Sequence, residues 1–421
     1  MSALPQIRAS GLAELPRRLL WLGLALGLVE RLLAWLLFGP TLPAHGYESG
    51  VIADNLLAGR GYVMPFYFSE VPVRSFIPPL YPLLMAAFKT LGEHWVTLLR
   101  ALQILASLAN ACLAAEIAGR WFGRRAMAVS FFAVALYPVF AIYSLAIFST
   151  TLIMTWVLVL INLMDRVDEP RPLRTGALTG LFHALGILSS PPLGLLGLLF
   201  LFRLWRYRHP GRLRRTLAYL GVLLAVWSPW ILRNARVHGT LLPTSTNGGF
   251  NFLVGNNPYA GGYTWGDFTL EENFWRVVER EQVERLPEPA LERWFYQRAF
   301  AYIAADPWHA LGFFLRKVYY FWWCQDVSRF GYPTAWSVGY QSLYAFCLPF
   351  MLAGIVLWAP RWRRLFPAYF LFAQYSLLYG LYFVRSRFRW EIEPLLLVFA
   401  VAGGCELLRR LRGGALAEAA Q

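Results

Sequence analysis

Three polar clusters in an otherwise lipid-soluble chain carry the residue types that do chemistry. The first is Glu48 with Arg60 and Arg74, set in Tyr47-Glu48-Ser49-Gly50 and followed by Phe76-Ile77-Pro78-Pro79-Leu80-Tyr81-Pro82. The second runs from Pro243 through Asn247 and Asn251 to Gly255-Asn256-Asn257-Pro258. The third is Arg385-Ser386-Arg387-Phe388-Arg389-Trp390-Glu391-Ile392-Glu393-Pro394. A carboxylate beside several guanidiniums suits a reaction that deprotonates an acceptor while a phosphate is held. The guanidinium is a planar fork matched to phosphate oxygens, and a glutamate can take a proton as general base. Glu48 follows directly on the first hydrophobic span, where an ionisable group is costly enough to point to a function. His45, three residues before it, is the only one of the six histidines placed to matter.

Plainer roles stay open for the same residues. Glu48 could cap a short helix at its positive end, the arginines could snorkel to lipid headgroups, and Gly255-Asn256-Asn257-Pro258 is ordinary turn chemistry. There is no nucleophile elbow, P-loop or metal-ligand spacing, so neither a metal nor a cofactor is expected.

The elements that must position these clusters are membrane helices. The chain has 421 residues, 57% hydrophobic and 17% aromatic, with mean hydropathy +0.45. Charged residues make up 15%, against about 25% in a soluble domain. This is an all-α polytopic membrane protein. The net charge of +15 does not indicate nucleic acid, because the arginines cluster between apolar spans and no soluble basic domain exists to hold it. Lys89 and Lys317 are the only lysines, a bias that a GC-rich bacterial genome explains. Cys112, Cys324, Cys347 and Cys405 are scattered and form neither a disulfide framework nor a zinc site.

Runs of about 20 apolar residues cross a bilayer. Ten are expected, at 19–38, 98–119, 126–147, 150–165, 174–189, 191–206, 214–232, 338–358, 365–384 and 391–408. With both termini cytoplasmic, the arginine-rich connections 120–125, 166–174, 203–213 and 359–364 all fall inside, as the positive-inside bias demands. Leu311–Cys324, short and containing Arg316 and Lys317, reads as an interfacial helix. Residues 1–408 then form one membrane domain with external segments 39–97 and 233–337, and 409–421 form a cytoplasmic tail. Short helices are expected at 47–58, with Gly59 just past its end, and at 79–91. A loop is expected at 243–263 and a charged helical stretch at 270–304.

At these residues the chain resembles bacterial family-39-type glycosyltransferases of the GT-C superfamily, whose relatives include protein O-mannosyltransferases and lipid A aminoarabinose transferases. The matching pieces run in order. They are Glu48, Ala53, Asn55-Leu56, Gly59 and Gly61-Tyr62; Pro78-Pro79-Leu80-Tyr81 through Leu91-Gly92 and Arg100; Pro229-Trp230, Arg233-Asn234, Gly239, Pro243, Ser245–Asn251 and Gly255–Pro258; and Arg387-Phe388-Arg389 with Ile392-Glu393-Pro394. The resemblance implies a GT-C-like bundle with external juxtamembrane helices in a bacterial inner membrane, its site facing the periplasm or exterior. It implies a polyprenyl-phosphate-linked sugar as donor and a glycan, lipid or protein hydroxyl as acceptor, with membrane lipids around both. Glu48 would be the general base of an inverting transfer. Arg387 and Arg389, with Arg385 and Arg74, would hold the leaving phosphate. His45, Tyr47, Arg60, Tyr81, Asn247, Asn251, Asn256 and Asn257 would line the substrate site. In three places the chain departs from many relatives: it has His45 for an Asp, Ser149-Thr150 for a Ser-Glu pair and Ser190-Pro191 for Arg-Pro. The alternative, from another class, is a non-catalytic relative that binds or translocates a polyprenyl-linked substrate.

Overall fold

A computed structural model describes residues 11–166, 171–206, 211–262, 268, 270–323 and 334–418, with 334–336 and 412–418 as backbone only. Cys324, the rest of 324–333 and tail residues 419–421 lie outside the described residues. The helices in chain order are α1 Arg17–Phe38, α2 Tyr47–Leu57, α3 Leu80–Lys89, α4 Trp95–Phe122, α5 Arg124–Ala135, α6 Pro138–Tyr143 and α7 Thr150–Asp165. They continue as α8 Pro172–Ser189, α9 Leu195–Arg206, α10 Arg212–His238, α11 Gly248–Gly255, α12 Glu271–Val278, α13 Arg280–Arg285 and α14 Glu288–Ala305. The last are α15 Pro307–Trp322, α16 Thr334–Leu357, α17 Trp362–Leu381, α18 Ser386–Trp390 and α19 Glu393–Glu418. One two-residue hairpin, Met64–Pro65 against Pro72–Val73, is antiparallel.

Each expected span coincides with helix, and α1, α4, α10 and residues 337–357 of α16 are long and apolar enough to cross a membrane by length and composition. The span expected at 126–147 is broken. Pro138 supplies no N–H and clashes with the preceding turn, so α5 stops at Ala135 and α6 begins anew, with irregular backbone after Tyr143. The freed carbonyls find buried donors. Arg31 donates to Ala135 O at 2.7 Å, Gln103 Nε2 to Ser144 O at 3.0 Å and Ala146 O at 2.8 Å, and Arg100 to Leu145 O at 2.9 Å. Non-helical backbone at membrane depth persists only with such partners.

Small residues set the close helix pairs. A Cβ at Gly176 or Gly180 of α8 would lie 2.4 Å from a carbonyl of α10, and one at Gly354 of α16 would lie 2.0 Å from Phe399 O of α19. Helices in lipid associate through such backbone approach. α19 continues unbroken past residue 408 to Glu418.

The arginine-rich connections meet at one end of the bundle. Arg166 pairs with Glu116 at 3.2 Å, Arg203 with Asp165 at 3.4 Å, and Arg364 donates to Arg120 O. At the opposite end, α2 and α11–α14 share an aromatic core that includes Phe66, Phe76, Phe250, Phe274 and Phe295. Two expectations change here. The segment 243–263 is not all loop, because buried Phe250, Leu253 and Val254 fold 248–255 into α11. The stretch 270–304 is three helices, broken at Glu279 (φ 58°) and at Leu286-Pro287. α15 packs along the end of α17, with Phe314 beside Gly380 and Trp322 Nε1 bonded to Ser376 Oγ at 2.9 Å.

Candidate functional site

A cavity of about 540 Å³ opens at this end, and all three sequence clusters reach it. Its walls include Glu48 and Ser49 of α2, Tyr67, Tyr81, Phe148 to Thr150, the Ser190-Pro191-Pro192 turn, Asn247 and Asn251, Glu292 and Tyr296 of α14, and Tyr379, Tyr382, Arg385, Arg387 and Glu391 around α18.

Glu48 is aimed by a strained turn. Gly46 (φ +71°) and Tyr47 (φ 49°) are both left-handed, which a bulky residue adopts only when its surroundings impose it. His45 Nδ1 accepts the Tyr47 N–H at 2.9 Å and so holds the turn. Gly50 lets the turn close, since a Cβ there would sit 1.6 Å from His45 O. Glu48 then falls in the first turn of α2, and Tyr67 OH donates to its Oε1 at 2.7 Å. Burial and the Glu48 charge push the Tyr67 phenol well above the ordinary tyrosine range, so it stays a donor.

The cations come from the 385–391 corner. Arg387 lies 4.9 Å from the Phe148 ring centroid, and Phe148 stacks on Tyr47 at 5.0 Å, which links α2 to this corner. Arg385 lies 5.5 Å from the Phe383 ring. Burial, and then the charge of Arg387, lower the Arg385 pKa to about 10, with Tyr67 and Glu48 opposing the shift. The guanidinium is still charged at neutral pH. Two wall carboxyls escaped the sequence-based site list. Glu391 takes a hydrogen bond from Tyr375 at 2.9 Å, and it stands in a run already singled out for its arginines. Nothing in the local pattern separates Glu292 from Glu284 or Glu288; only the packing of α14 on α11 places it in the wall.

Several expected site residues lie elsewhere. Arg389 is 1% exposed and points away from the cavity. It donates to Phe321 O at 2.7 Å and Trp323 O at 2.8 Å, pairs with Glu393 at 3.6 Å and bonds Tyr340. A five-residue helix sends alternate side chains to opposite faces, so Arg387 reaches the cavity while Arg389 locks α18 to α15 and α16. Arg74 is exposed on the far side of its loop. Its N–H bonds Glu288 at 2.6 Å, and its carbonyl accepts from Arg233 at 2.6 Å. Arg60 bonds Asn55, which in turn donates to Val63 O at 2.7 Å and closes the turn after α2. His45 and Tyr47 support the wall from behind. Asn257 closes its own turn, and Asn256 accepts from Lys317 Nζ at 3.1 Å. Tyr81 lines the cavity, but its hydroxyl is committed to Gln103 at 2.8 Å. The Trp230-Arg233-Asn234 motif is a clamp: Trp230 Nε1 donates to Thr244 O at 2.8 Å, and Asn234 Nδ2 to Thr244 O at 3.0 Å. Arg233 donates to Ser75 Oγ at 2.8 Å, so the first external segment is tied to the second. Among the described residues no three His, Cys, Asp or Glu side chains gather as a metal group.

Residues 77–232 match the sequence model of the dolichyl-phosphate-mannose-protein mannosyltransferase family. In three dimensions the chain is similar to the archaeal oligosaccharyltransferase AglB from Archaeoglobus fulgidus, solved with an inhibitory peptide and a dolichol-phosphate. The TM-score is 0.50 at 13% identity, over 95% of this chain and 52% of that one. The chain shares a GT-C-like fold with it. The chain spans about half the length of that oligosaccharyltransferase. ArnT from Cupriavidus metallidurans bound to undecaprenyl phosphate is also similar, with a TM-score of 0.41 at 15% identity over 94% of this chain and 79% of that one. No curated protein matches the chain in sequence.

Proposed function

We propose that the protein is a glycosyltransferase of a bacterial cytoplasmic membrane that moves a sugar from a polyprenyl-phosphate donor to an acceptor hydroxyl at the outer face, with inversion. The observation that carries this is one cavity in which Glu48, anchored by Tyr67, shares the walls with Arg385 and Arg387. Glu48 takes the acceptor proton as the hydroxyl oxygen attacks the anomeric carbon. The bond from that carbon to the phosphate oxygen breaks, and the charge leaving on the phosphate is met by the two guanidiniums. This moves the phosphate-binding role from Arg389 to Arg385 and Arg387. The arginine-rich far end supports an outward-facing cavity by the charge rule. The family described by the matching model takes its sugar from dolichyl phosphate, and the similar oligosaccharyltransferase was solved with a dolichol-phosphate, both of which support a polyprenyl-phosphate donor here.

One observation favours the binding-only alternative: Thr150, where many relatives carry an acid, stands in the cavity wall itself. The test is reconstitution in lipid vesicles with undecaprenyl-phosphate-linked sugar. Release of undecaprenyl phosphate that depends on an added glycan, lipid or protein acceptor supports the transferase. Donor binding with no release over any acceptor supports the alternative.

A further inference from the structure

The three cavity carboxyls differ in what they have already spent. Glu48 accepts from Tyr67 and Glu391 from Tyr375. No side chain among the described residues donates to Glu292, which lies half-buried with its carboxyl in the wall. The Gly249 N–H backs it. The protein makes room for this placement with two consecutive glycines. A Cβ at Gly249 would lie 2.2 Å from the backbone oxygen of Glu292, and one at Gly248 would lie 2.5 Å from Tyr296 OH and 3.2 Å from Glu292 Oε1. Any other residue at Gly249 would push α14 off α11, and one at Gly248 would displace the Tyr296 hydroxyl and the Glu292 carboxyl. Beside Glu292, the Tyr296 and Tyr382 hydroxyls lie 3.1 Å apart, and Phe252 supports both rings at 5.6 and 5.4 Å. A carboxyl with acceptor capacity left over, next to aromatic rings bearing hydroxyls, matches the polar rim and apolar face of a pyranose ring.

We propose that Glu292, with Tyr296 and Tyr382, is a sugar-hydroxyl subsite that sets specificity by accepting hydrogen bonds from the ring hydroxyls of one substrate. This rests on the transferase reading but concerns recognition, so Glu292 does not enter the proton transfer assigned to Glu48. Burial, and then the neighbouring Glu288 charge, push its carboxyl up to about 7, against the Gly249 N–H and Arg293. Such a group offers two acceptor oxygens at alkaline pH and can donate when protonated.

The test measures binding, so it works even if no transfer is ever observed. Wild type and Glu292→Gln are compared for binding undecaprenyl phosphate bare, the same lipid bearing glucose, galactose or mannose, and the free methyl glycosides of those sugars. Gln keeps the size and the carbonyl facing Gly249 but loses one acceptor oxygen. Wild type should bind at least one sugar-bearing probe more tightly than its sugar-free counterpart. Glu292→Gln should weaken that probe by tenfold or more while bare-lipid binding holds and the unfolding temperature does not fall. A loss confined to the lipid-linked sugars assigns the subsite to the donor, and one confined to the glycosides assigns it to the acceptor. Wild type with no preference for any sugar overturns the proposal. So does a variant that binds every probe as wild type does, or a fall in unfolding temperature with unchanged sugar preference, which would make Glu292 only a cap for α11. Because the readout is binding and not transfer, failure of the base assignment at Glu48 stays distinct from failure of the subsite.

Discussion

Replacing Glu48 by Gln isolates the proton transfer from everything else the site does. The Gln carbonyl can still accept the 2.7 Å hydrogen bond from Tyr67, and the Gly46-Tyr47 turn that aims the side chain is untouched. What disappears is the capacity to take a proton. A positioned general base contributes about 10²–10⁴ to rate, or roughly 2.7–5.4 kcal/mol of barrier. Tyr67→Phe provides the scale for positioning alone: a hydrogen bond to a charged group is worth about 1.5–3 kcal/mol, so its loss should cost no more than roughly 10–10²-fold. The assay is single-turnover sugar transfer from a labelled undecaprenyl-phosphate donor in vesicles, with donor affinity measured alongside. Glu48→Gln should cut the rate at least a hundredfold with donor affinity within twofold, and Tyr67→Phe should fall between it and wild type. Full activity in Glu48→Gln would reduce Glu48 to a helix-end charge, and a rate loss matched by an equal loss of donor binding would make it a binding group.

Four further outcomes follow from the geometry. Replacing Arg385 and Arg387 together by Gln should weaken binding of undecaprenyl phosphate tenfold or more, since each charge-assisted bond contributes about 1.5–3 kcal/mol. Arg389→Gln should instead leave Glu393 buried without its cation, costing about 3–5 kcal/mol; a lower unfolding temperature with phosphate affinity kept in the folded fraction is the expected pair of results. In a cysteine-free background, a cysteine at Arg285 should label from outside the cell and one at Arg363 only from inside; the reverse pattern would invert the orientation. For Glu292 the folded pKa of about 7 lies above the ordinary glutamate value of 4.5, so the folded state holds the proton more tightly. Its contribution to stability is present below about 4.5 and is lost as pH rises toward about 7, so Glu292→Gln should flatten the decline in unfolding temperature across that window.

The membrane bundle was legible because hydropathy is additive along the chain: ten apolar runs predicted ten stretches of helix, and arginine spacing predicted that 120–125, 166–174, 203–213 and 359–364 would share one end. Local rules were equally informative at α2, where Gly59 (φ +71°) follows the helix end as expected. They missed the break at Pro138, because the apolar run continues through it and its cost is met by Arg31, Arg100 and Gln103 from other helices. The three polar clusters could be found as clusters, since charge in an apolar chain stands out.

What each member does was decided in three dimensions. Arg387 and Arg389 are two residues apart and chemically identical, yet the turn of α18 sends one to the cavity and the other into the core against Glu393. The Arg60 side chain is spent on Asn55, and Arg74 enters the loop geometry through its backbone, bonded to the distant Glu288 and Arg233. Glu292 carries no distinguishing neighbour in sequence and joins the site only because Gly248 and Gly249 let α14 lie on α11. Sequence alone determined which segments are buried in lipid, because that depends on composition over about 20 residues. Which charged groups face a substrate depends on contacts between residues hundreds of positions apart, and only the packed chain decides those.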